Sequence, residues 1–431
     1  MKNKVVMFPL ALLLVPILVL FLYRFLPYDT VRFIWYYVIL YIGMFSGIYA
    51  LYHFRNLRKD KFSNMQKAVI ILFILFFITC VVSTILSKMP MLSLLGSDYR
   101  REGLFTYISY FLLAFSCMFL NSKEKKSIYQ MFVIIGMILT IFTLFKITPF
   151  LSPYQYSYNG IFYQFNHFSY FLILALVCNT GLFVTANEKI EKIVYYVSYV
   201  FLLIQLIVNN TFGGYLALLV TTIMMLVYYI KVKKIKGNSL ILLFTFLLLS
   251  CCISNEKGII VYNNIFDNAK EVISTDFSKE EELYKLGTTR GRLWVEAIKM
   301  IQKRPLIGYG IEGLQEEYIK IGMPYADKPH NIILALSGYV GIPGMVCFLS
   351  AIGIVMYSIL RKIKELELED IIAFFACICF LGSSIFANSM FYTTPYVCIF
   401  MGILLGIFYQ NHLKQLTKNN KVVKSDYKDV D

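Results

Sequence analysis

Residues 68–87 read AVIILFILFFITCVVSTILS, a run without a single charged side chain. A helix of about twenty such residues spans the hydrocarbon core of a lipid bilayer. The rest of the chain has the same character, because 58% of its 431 residues are hydrophobic and only 16% are charged. The mean hydropathy of +0.65 is far from that of an average soluble domain. The sequence therefore predicts an all-α, multi-pass membrane protein.

Similar apolar runs on both sides of this segment predict about twelve membrane-spanning helices. We expect an N-terminal bundle of about nine spans in residues 1–254 and a C-terminal bundle of about three in residues 331–411. A large loop, 255–330, separates the two bundles, and a tail, 412–431, follows the second. The predicted spans are 5–26, 31–51, 68–87, 104–120, 128–148, 167–186, 193–209, 214–230, 239–254, 331–359, 371–390 and 396–411.

The distribution of Lys and Arg predicts how the chain is oriented in the cell membrane. Positively charged short loops stay in the cytoplasm. The basic segments are 53–67, 121–127, 187–192, 231–237 and 361–370, together with the C-terminal tail. The intervening loops 149–166, 209–213 and 391–395 contain no Lys or Arg. Both termini are therefore expected in the cytoplasm, with loop 255–330 and any active site outside it.

Charge and motifs also exclude several classes of function. The net charge of +15 lies in short clusters between apolar runs, so it does not indicate a nucleic-acid binder. Ionisable side chains are nearly absent from the middle of the spans, which disfavours a coupled transporter. There is no HExxH motif, no DxD pair in the outer loops and no Cys/His spacing typical of metal ligands. No metal or other cofactor is expected.

Polar residues collect instead in the segments predicted to face outward, and we expect them to meet above one mouth of the bundle. Convergent arginines with a histidine suit group transfer from a phosphate-activated donor, because guanidinium groups neutralise a diphosphate and a neutral imidazole accepts a hydroxyl proton. These residues also have purely structural explanations. Arg290 and Arg292 would be solvated side chains at the start of a helix, and His330 would cap a helix. The residues are Asp98, Arg100, Arg101, Glu102, Asn166, His167, Arg290, Arg292, Lys328, His330 and Asn331.

The large loop has local helical patterns of its own. Thr288 and Thr289 are candidate N-caps for a helix over 290–304, whose apolar residues recur at helical spacing. A second short helix is predicted over 311–321, after a glycine turn. Aromatic residues near the outer mouths form either an interfacial belt or a binding wall. They are Tyr154, Tyr156, Tyr158, Phe162 and Tyr163.

Several ordered motifs resemble the O-antigen ligase and polymerase family of bacterial surface polysaccharide assembly. Arg290-Gly-Arg-Leu-Trp294, followed by Ala297 and by Pro305-Leu-Ile-Gly308-Tyr-Gly310, is similar to the family's Arg-x-x-x-Trp segment and glycine turn. Lys328-Pro-His330-Asn331, followed by Gly338, Gly341 and Gly344, resembles its His-Asn segment. Weaker similarities are Gly96-Ser-Asp-Tyr-Arg-Arg-Glu-Gly103 and Phe165-Asn-His167.

The resemblance implies a GT-C-like membrane glycosyltransferase that needs no metal. It would transfer a glycan from an undecaprenyl-diphosphate carrier to a glycan or lipid acceptor outside the membrane, alongside other polysaccharide-assembly proteins. Arg290 would bind the diphosphate, and His330 would orient or deprotonate the acceptor hydroxyl. The expected substrate-binding residues are Arg292, Arg100, Arg101, Asn331, His167 and Trp294.

One departure from the family concerns the outer end of the eighth span. Many relatives carry Ser-Arg-Gly there, whereas this chain has Thr211-Phe-Gly-Gly214. Arg100 or Arg101 is a candidate to supply the missing charge.

Four functions remain open from the sequence. A polymerase of capsule or exopolysaccharide type, using a second lipid-linked unit as acceptor, is the first choice. A ligase that attaches a finished glycan to lipid, teichoic acid or protein is the close alternative. A flippase or exporter of lipid-linked oligosaccharides and a non-catalytic scaffold belong to other classes.

Overall fold

A computed structural model describes residues 4–54, 62–145, 160–162, 164–234, 239–256, 258–287, 290–387 and 390–409. These residues are helical almost throughout, with one two-stranded antiparallel hairpin of β1 (Ser254–Asn255) and β2 (Gly258–Ile259). The helices, in chain order, are α1 Met7–Leu22, α2 Tyr28–Phe54, α3 Asn64–Ile85, α4 Pro90–Leu95, α5 Leu104–Cys117, α6 Ser122–Leu144, α7 Phe165–Thr185, α8 Lys189–Val208, α9 Phe212–Lys231, α10 Leu240–Cys252, α11 Ile260–Ser274, α12 Glu280–Lys285, α13 Arg290–Lys303, α14 Leu314–Lys320, α15 Ile332–Arg361, α16 Leu368–Ser384 and α17 Thr394–Tyr409.

Each of the twelve predicted spans overlaps one helix of the structure. Within the described part of the chain, seven helices (α2, α3, α6, α7, α8, α9 and α15) are long and apolar enough to cross a membrane. Four more (α1, α5, α10 and α17) are apolar but shorter. The prediction of an all-α membrane protein is therefore confirmed. The predicted tail, 412–431, lies outside the described residues.

Helix α7 forms the centre of the bundle. It packs against α6, α8, α9 and α16, and 94% of its most apolar window is buried inside the protein. A helix that is apolar all round lies either in lipid or inside a protein core, and α7 lies inside the core. Its first turn carries His167, which is thereby held at the end of the most enclosed element of the fold.

Helix α15 is interrupted at Gly341, whose φ is +76°. Pro343 has no N–H to give to the carbonyl of Tyr339, so the interruption leaves backbone groups without their helical partners. The turn at 305–310 replaces those partners. The N–H groups of Tyr309 and Gly310 donate to the carbonyls of Gly338 (2.8 Å) and Tyr339 (3.0 Å), and the N–H of Ile342 donates to the carbonyl of residue 305 (2.7 Å).

A second hydrophobic cluster joins the large loop to α3 and α15. Its buried members include Phe76 on α3, Ala297 on α13, Leu314 and Tyr318 on α14, and Tyr339 on α15. Helices α13 and α14 confirm the two loop helices predicted from sequence, with ends shifted by up to three residues. The caps proposed at Thr288 and Thr289 lie outside the described residues. Helices α4, α11 and α12 were not predicted.

The aromatic residues expected near the outer mouths fall largely outside the described residues. This applies to Tyr154, Tyr156, Tyr158 and Tyr163. Phe162 is described, and it is fully buried, with its ring 5.6 Å from Trp35 and 5.3 Å from Phe168. For Phe162, the structure indicates a core position rather than an exposed belt.

Candidate functional site

Residues 327–331 are held in place by three successive contacts. Arg100 donates two hydrogen bonds to the carboxylate of Asp327. Its Nε donates to Oδ2, and its Nη2 donates to Oδ1 at 3.1 Å. Lys328 forms a fully buried ion pair with Glu102. The Asn331 side chain caps α15 by accepting from the N–H groups of Ile333 and Leu334 at 2.9 and 3.0 Å. The helix cap considered for His330 is therefore provided by its neighbour.

His330 adopts a left-handed backbone conformation, with φ of +52°. This region is unfavourable for residues other than glycine and persists where surrounding contacts enforce it. The anchors on either side of His330 do so. They hold the imidazole partly buried at the entrance to α15, with its Nδ1 atom buried and without a hydrogen-bond partner in the described structure.

The loop at 96–103 is itself tied to the large loop. The buried Glu312 carboxylate accepts from the backbone N–H groups of Ser97 (2.5 Å) and Glu102 (2.8 Å). Glu102 in turn accepts from the hydroxyls of Tyr110 (3.2 Å) and Thr394 (3.1 Å). Burial raises the pKa of Glu312, while the positive charge of Lys328 opposes that effect. Loop 96–103, the large loop and α17 are thus joined by buried polar contacts.

His330 is neutral near pH 7. Burial lowers its pKa to about 4, and the positive charge of Arg100 acts in the same direction. The carboxylate of Asp327 opposes the shift, while Arg290 and Lys328 add to it. A neutral imidazole has a free lone pair, so it is able to accept a proton from a nearby hydroxyl.

Arg290 and Arg100 differ in how their charges are balanced. Burial alone would lower the pKa of Arg100, but the Asp327 carboxylate raises it above its usual value. Arg290 begins α13 and is partly buried; burial lowers its pKa, although an arginine stays charged at neutral pH. Among the described residues, no carboxylate forms an ion pair with Arg290. Its charge is therefore available to an anionic ligand.

His167 lies beside this group. Its Nδ1 is hydrogen-bonded to the Tyr392 hydroxyl at 2.9 Å, and its Nε2 is buried with no partner in the described part of the chain. The charges of Arg100, Lys328 and Arg32 and the imidazole of His330 all act on it. The structure thus brings Arg100, Arg290, Lys328, His330 and His167 together.

Two other predicted site residues have partners outside this group. Arg101 pairs with the exposed Asp98 at 2.6 Å, away from the imidazole of His330. Arg292 is exposed, with its guanidinium 5.6 Å from the ring of Tyr284.

Trp294, also on α13, is only partly buried. Its ring lies 6.4 Å from that of Phe386, and its indole nitrogen is buried without a hydrogen-bond partner in the described structure.

Sequence reasoning missed three residues that shape the cluster. Asp327 sits one position before the Lys-Pro-His-Asn motif, so its proximity was a usable signal. Arg32 lies in the first turns of the second predicted span, and an arginine within a span is itself a functional signal. Glu312 follows the glycine turn, but nothing in the sequence indicated that it would accept from loop 96–103.

An apolar cleft lies beside the cluster, between α3, α5, α15, α16 and α17. It encloses about 1230 Å³ when the space open to its surroundings is included. Glu102, Lys328 and Asn331 line one end of it, and Met401 and Leu405 line the other. Such a cleft suits a long apolar chain with a polar group at one end.

Tyr170 relates Arg290 to this cleft. The Tyr170 hydroxyl donates to the Ser384 Oγ at 3.1 Å, and Ser384 lines the cleft. The charge of Arg290 acts on Tyr170.

The turn that departs from the family pattern packs against the start of α7. Asn209 donates from its Nδ2 to the carbonyl of Phe165 (2.7 Å) and to the Thr211 Oγ1 (3.0 Å). Phe212, where relatives carry arginine, is partly buried and contributes no charge. Of the two candidates to replace that charge, Arg100 lies in the cluster and Arg101 does not.

In the described part of the chain, no three His, Cys, Asp or Glu side chains form a group suited to a metal ion. A family model described as O-antigen ligase matches residues 197–349, from within α8 to the middle of α15. The matched segment contains Arg290, Trp294, His330 and Asn331. Curated proteins provide no match to the chain.

Proposed function

We propose, from the O-antigen ligase domain that this chain carries, that the protein is a polymerase that transfers a glycan from undecaprenyl diphosphate to an acceptor glycan. The observation that carries the proposal is that neutral His330 stands between Lys328 and Asn331, which line the polar end of the apolar cleft, and that the charges of Arg100 and Arg290 act on it. The predicted orientation places this polar end outside the cytoplasm.

The donor lipid has an apolar tail and an anionic diphosphate, and the site offers a region suited to each. Its polyprenyl tail would occupy the cleft, whose far end reaches Met401 and Leu405 on α17. Its diphosphate would bind Arg290, the partly buried cation that no described carboxylate neutralises. A planar guanidinium matches two phosphate oxygens at once, which a point charge does not.

The chemistry follows from these positions. His330 takes the proton of an acceptor hydroxyl as its oxygen attacks the anomeric carbon of the donor sugar. The bond between that carbon and the diphosphate oxygen breaks, and undecaprenyl diphosphate leaves with the electron pair. Arg290 stabilises the charge that develops on the leaving group. No metal is required in this scheme.

Donor binding should also make His330 a stronger base. The pKa of His330 is held near 4 in the absence of substrate, partly by Arg100 and Arg290. A bound diphosphate brings negative charge that offsets both arginines, and this raises the pKa of the imidazole toward neutrality. His330 would therefore become a stronger base only when the donor is present.

The alternatives differ in what they require. A ligase uses the same leaving-group chemistry with a different acceptor, so it remains the close alternative. A flippase must carry a hydrophilic glycan through the membrane, whereas the cleft is lined along its length by apolar side chains such as Val355 and Met401. A scaffold would not depend on Arg290 or His330.

The test is reconstitution of the full chain in liposomes with lipid-linked repeat units. Product length would be read on gels, and released carrier diphosphate by mass spectrometry. A ladder of lengths supports a polymerase, and one transfer to a lipid or protein acceptor supports a ligase. Absence of released diphosphate from a folded protein would contradict both. His53→Gln, in a loop predicted to be cytoplasmic, is the matched control for His330→Gln, and a parallel EDTA series tests metal independence.

A further inference from the structure

Two arginines from distant parts of the chain contact one aromatic ring. The guanidinium carbons of Arg32, on α2, and Arg100 each lie 4.8 Å from the centre of the Tyr99 ring. Arg32 also donates from its Nη2 to the carbonyl of Tyr99. Both cations therefore lie against Tyr99, near the start of α2.

Helix α2 connects this pair to His167. One turn after Arg32, Trp35 stacks on Tyr392 with ring centres 4.8 Å apart. The Tyr392 hydroxyl is the hydrogen-bond partner of the His167 Nδ1. The charges of both arginines act on Tyr392 and on His167. Arg32, Arg100 and His167 therefore face one region from three different elements.

Each of these three side chains has a buried nitrogen without a hydrogen-bond partner in the described structure. The atoms are the Arg32 Nε, the Arg100 Nη1 and the His167 Nε2. Arg100 and His167 are themselves almost fully buried, at 3% and 1% exposed. When the Tyr392 hydroxyl donates to the His167 Nδ1, the Nε2 carries the proton, so all three atoms are donors. Buried donors are normally paired.

The charge in this region is not balanced either. Asp327 pairs with Arg100, and in the described ranges no carboxylate forms an ion pair with Arg32. Three buried donors without a partner in the described structure, together with a surplus positive charge, match a group rich in anionic oxygen.

We propose that Arg32, Arg100 and His167 form a second anion-binding subsite, separate from Arg290, which holds an anionic group of the acceptor. The group is a diphosphate or a sugar carboxylate, since both present several acceptor oxygens with negative charge. Assigning the subsite to the acceptor rests on the proposed transfer function. The existence of the subsite does not.

The position of His330 agrees with this division. Arg290 and Arg100 both act on His330, whereas Arg100, His330 and Arg32 act on His167. His330 is thus acted on both by Arg290, the proposed donor cation, and by Arg100, a member of the second subsite. This agrees with a base that serves both reacting molecules.

The first experiment measures binding without turnover. The full-length protein in detergent is titrated with inorganic pyrophosphate and, separately, with glucuronate, by calorimetry. We expect two pyrophosphate sites in wild type, one lost in Arg290→Gln and the other weakened about tenfold or more in Arg32→Gln. Arg24→Gln, which removes an exposed arginine near the same end of the bundle, should retain both. Glucuronate binding that depends on Arg32 would identify a sugar carboxylate as the natural group.

Two results overturn the proposal. One is that the Arg32→Gln protein binds pyrophosphate and glucuronate with the same affinity as wild type. The other is a single site lost equally in Arg290→Gln and Arg32→Gln, which would mean one shared anion. Arg32→Lys serves as a second variant if Arg32→Gln unfolds, and it should recover only part of the affinity, because the planar fork is lost.

The second experiment measures transfer in liposomes. Arg32→Gln should raise the KM for the acceptor about tenfold and leave the KM for the donor unchanged. Equal increases in both would overturn the assignment to the acceptor. If wild type binds two anions but releases no carrier diphosphate, the proposed function fails while the second subsite stands.

Discussion

Loop 96–103 and the start of α13 each present two neighbouring arginines, and in each pair one is more enclosed than the other. In the loop, the buried Arg100 is neutralised by Asp327, and Arg101 pairs with the exposed Asp98. On α13, the partly buried Arg290 has no described carboxylate partner, and Arg292 lies over Tyr284. The comparison indicates that Arg100 positions the His330 segment as well as contributing to the second subsite, whereas Arg290 keeps its whole charge for a ligand.

The largest effect is expected at Arg290. Arg290→Gln removes the unpaired charge, and we expect transfer to fall by roughly a thousandfold, as for loss of a major transition-state donor. Arg290→Lys should still lose on the order of a hundredfold, because a point charge cannot bind the diphosphate in bidentate fashion. Initial rates of carrier release in liposomes measure both. Near-normal transfer by a well-expressed Arg290→Lys protein would reduce this arginine to a generic surface charge.

His330→Gln should lower transfer by roughly a hundredfold while donor binding survives, since general base catalysis contributes about that much. The wild-type pH profile provides an independent check. The imidazole accepts a proton only above its pKa, which is about 4. We therefore expect kcat/KM to stay near its maximum down to about pH 5 and to fall below that.

The acid limb of kcat should lie at higher pH than that of kcat/KM, because bound diphosphate raises the pKa of His330. A fall in kcat/KM that begins near pH 6.5 would show that the imidazole is not held in its neutral form by burial.

A smaller loss of transfer is expected at Arg100, whose charge is already neutralised by Asp327. Asp327→Asn breaks a largely buried ion pair, so we expect a loss of about 3 kcal/mol in the free energy of unfolding and roughly a tenfold loss of transfer. The double variant Arg100→Leu/Asp327→Leu should recover most of the stability but not the transfer. Thermal melts in detergent and rates measured on the same preparations separate the two effects. Full transfer by the double variant would refute a role for Arg100.

The more accessible arginine of each pair should matter least. Arg292→Gln and Arg101→Gln each remove a cation that contacts Tyr284 or the exposed Asp98, and we expect transfer within about twofold of wild type. A loss as large as that of Arg290→Gln would overturn the distinction between the more and the less enclosed member of each pair. Parallel measurement of membrane expression keeps misfolding from being read as lost activity.

The spans were predictable because they depend on local composition. An apolar run such as 68–87 carries its own length and hydrophobicity, and α3 overlaps it closely. Helices α11 and α12 were missed because they are polar and short, with no comparable run. The interruption at Gly341 was also missed, since it depends on backbone partners supplied by residues 305–310.

The site shows the same limit. Motif residues such as Arg290 and His330 stand out by residue type and predicted side of the membrane. Their partners do not, because Asp327 and Glu312 are ordinary carboxylates until folding brings Arg100 and loop 96–103 against them. The sequence also offered no way to distinguish Arg290 from Arg292, which differ in burial rather than chemistry.

The backbone pairing between turn 305–310 and the interruption in α15 has a mechanical consequence. Helix α13 begins at Arg290 and leads into this turn, and α15 begins next to His330. Because the turn is bonded to α15 on both sides of Gly341, no hinge can open there without leaving backbone groups unpaired within the bundle. The spacing between the guanidinium and the imidazole is therefore set by the skeleton of the fold. Any movement that opens the site would therefore involve segments other than this turn.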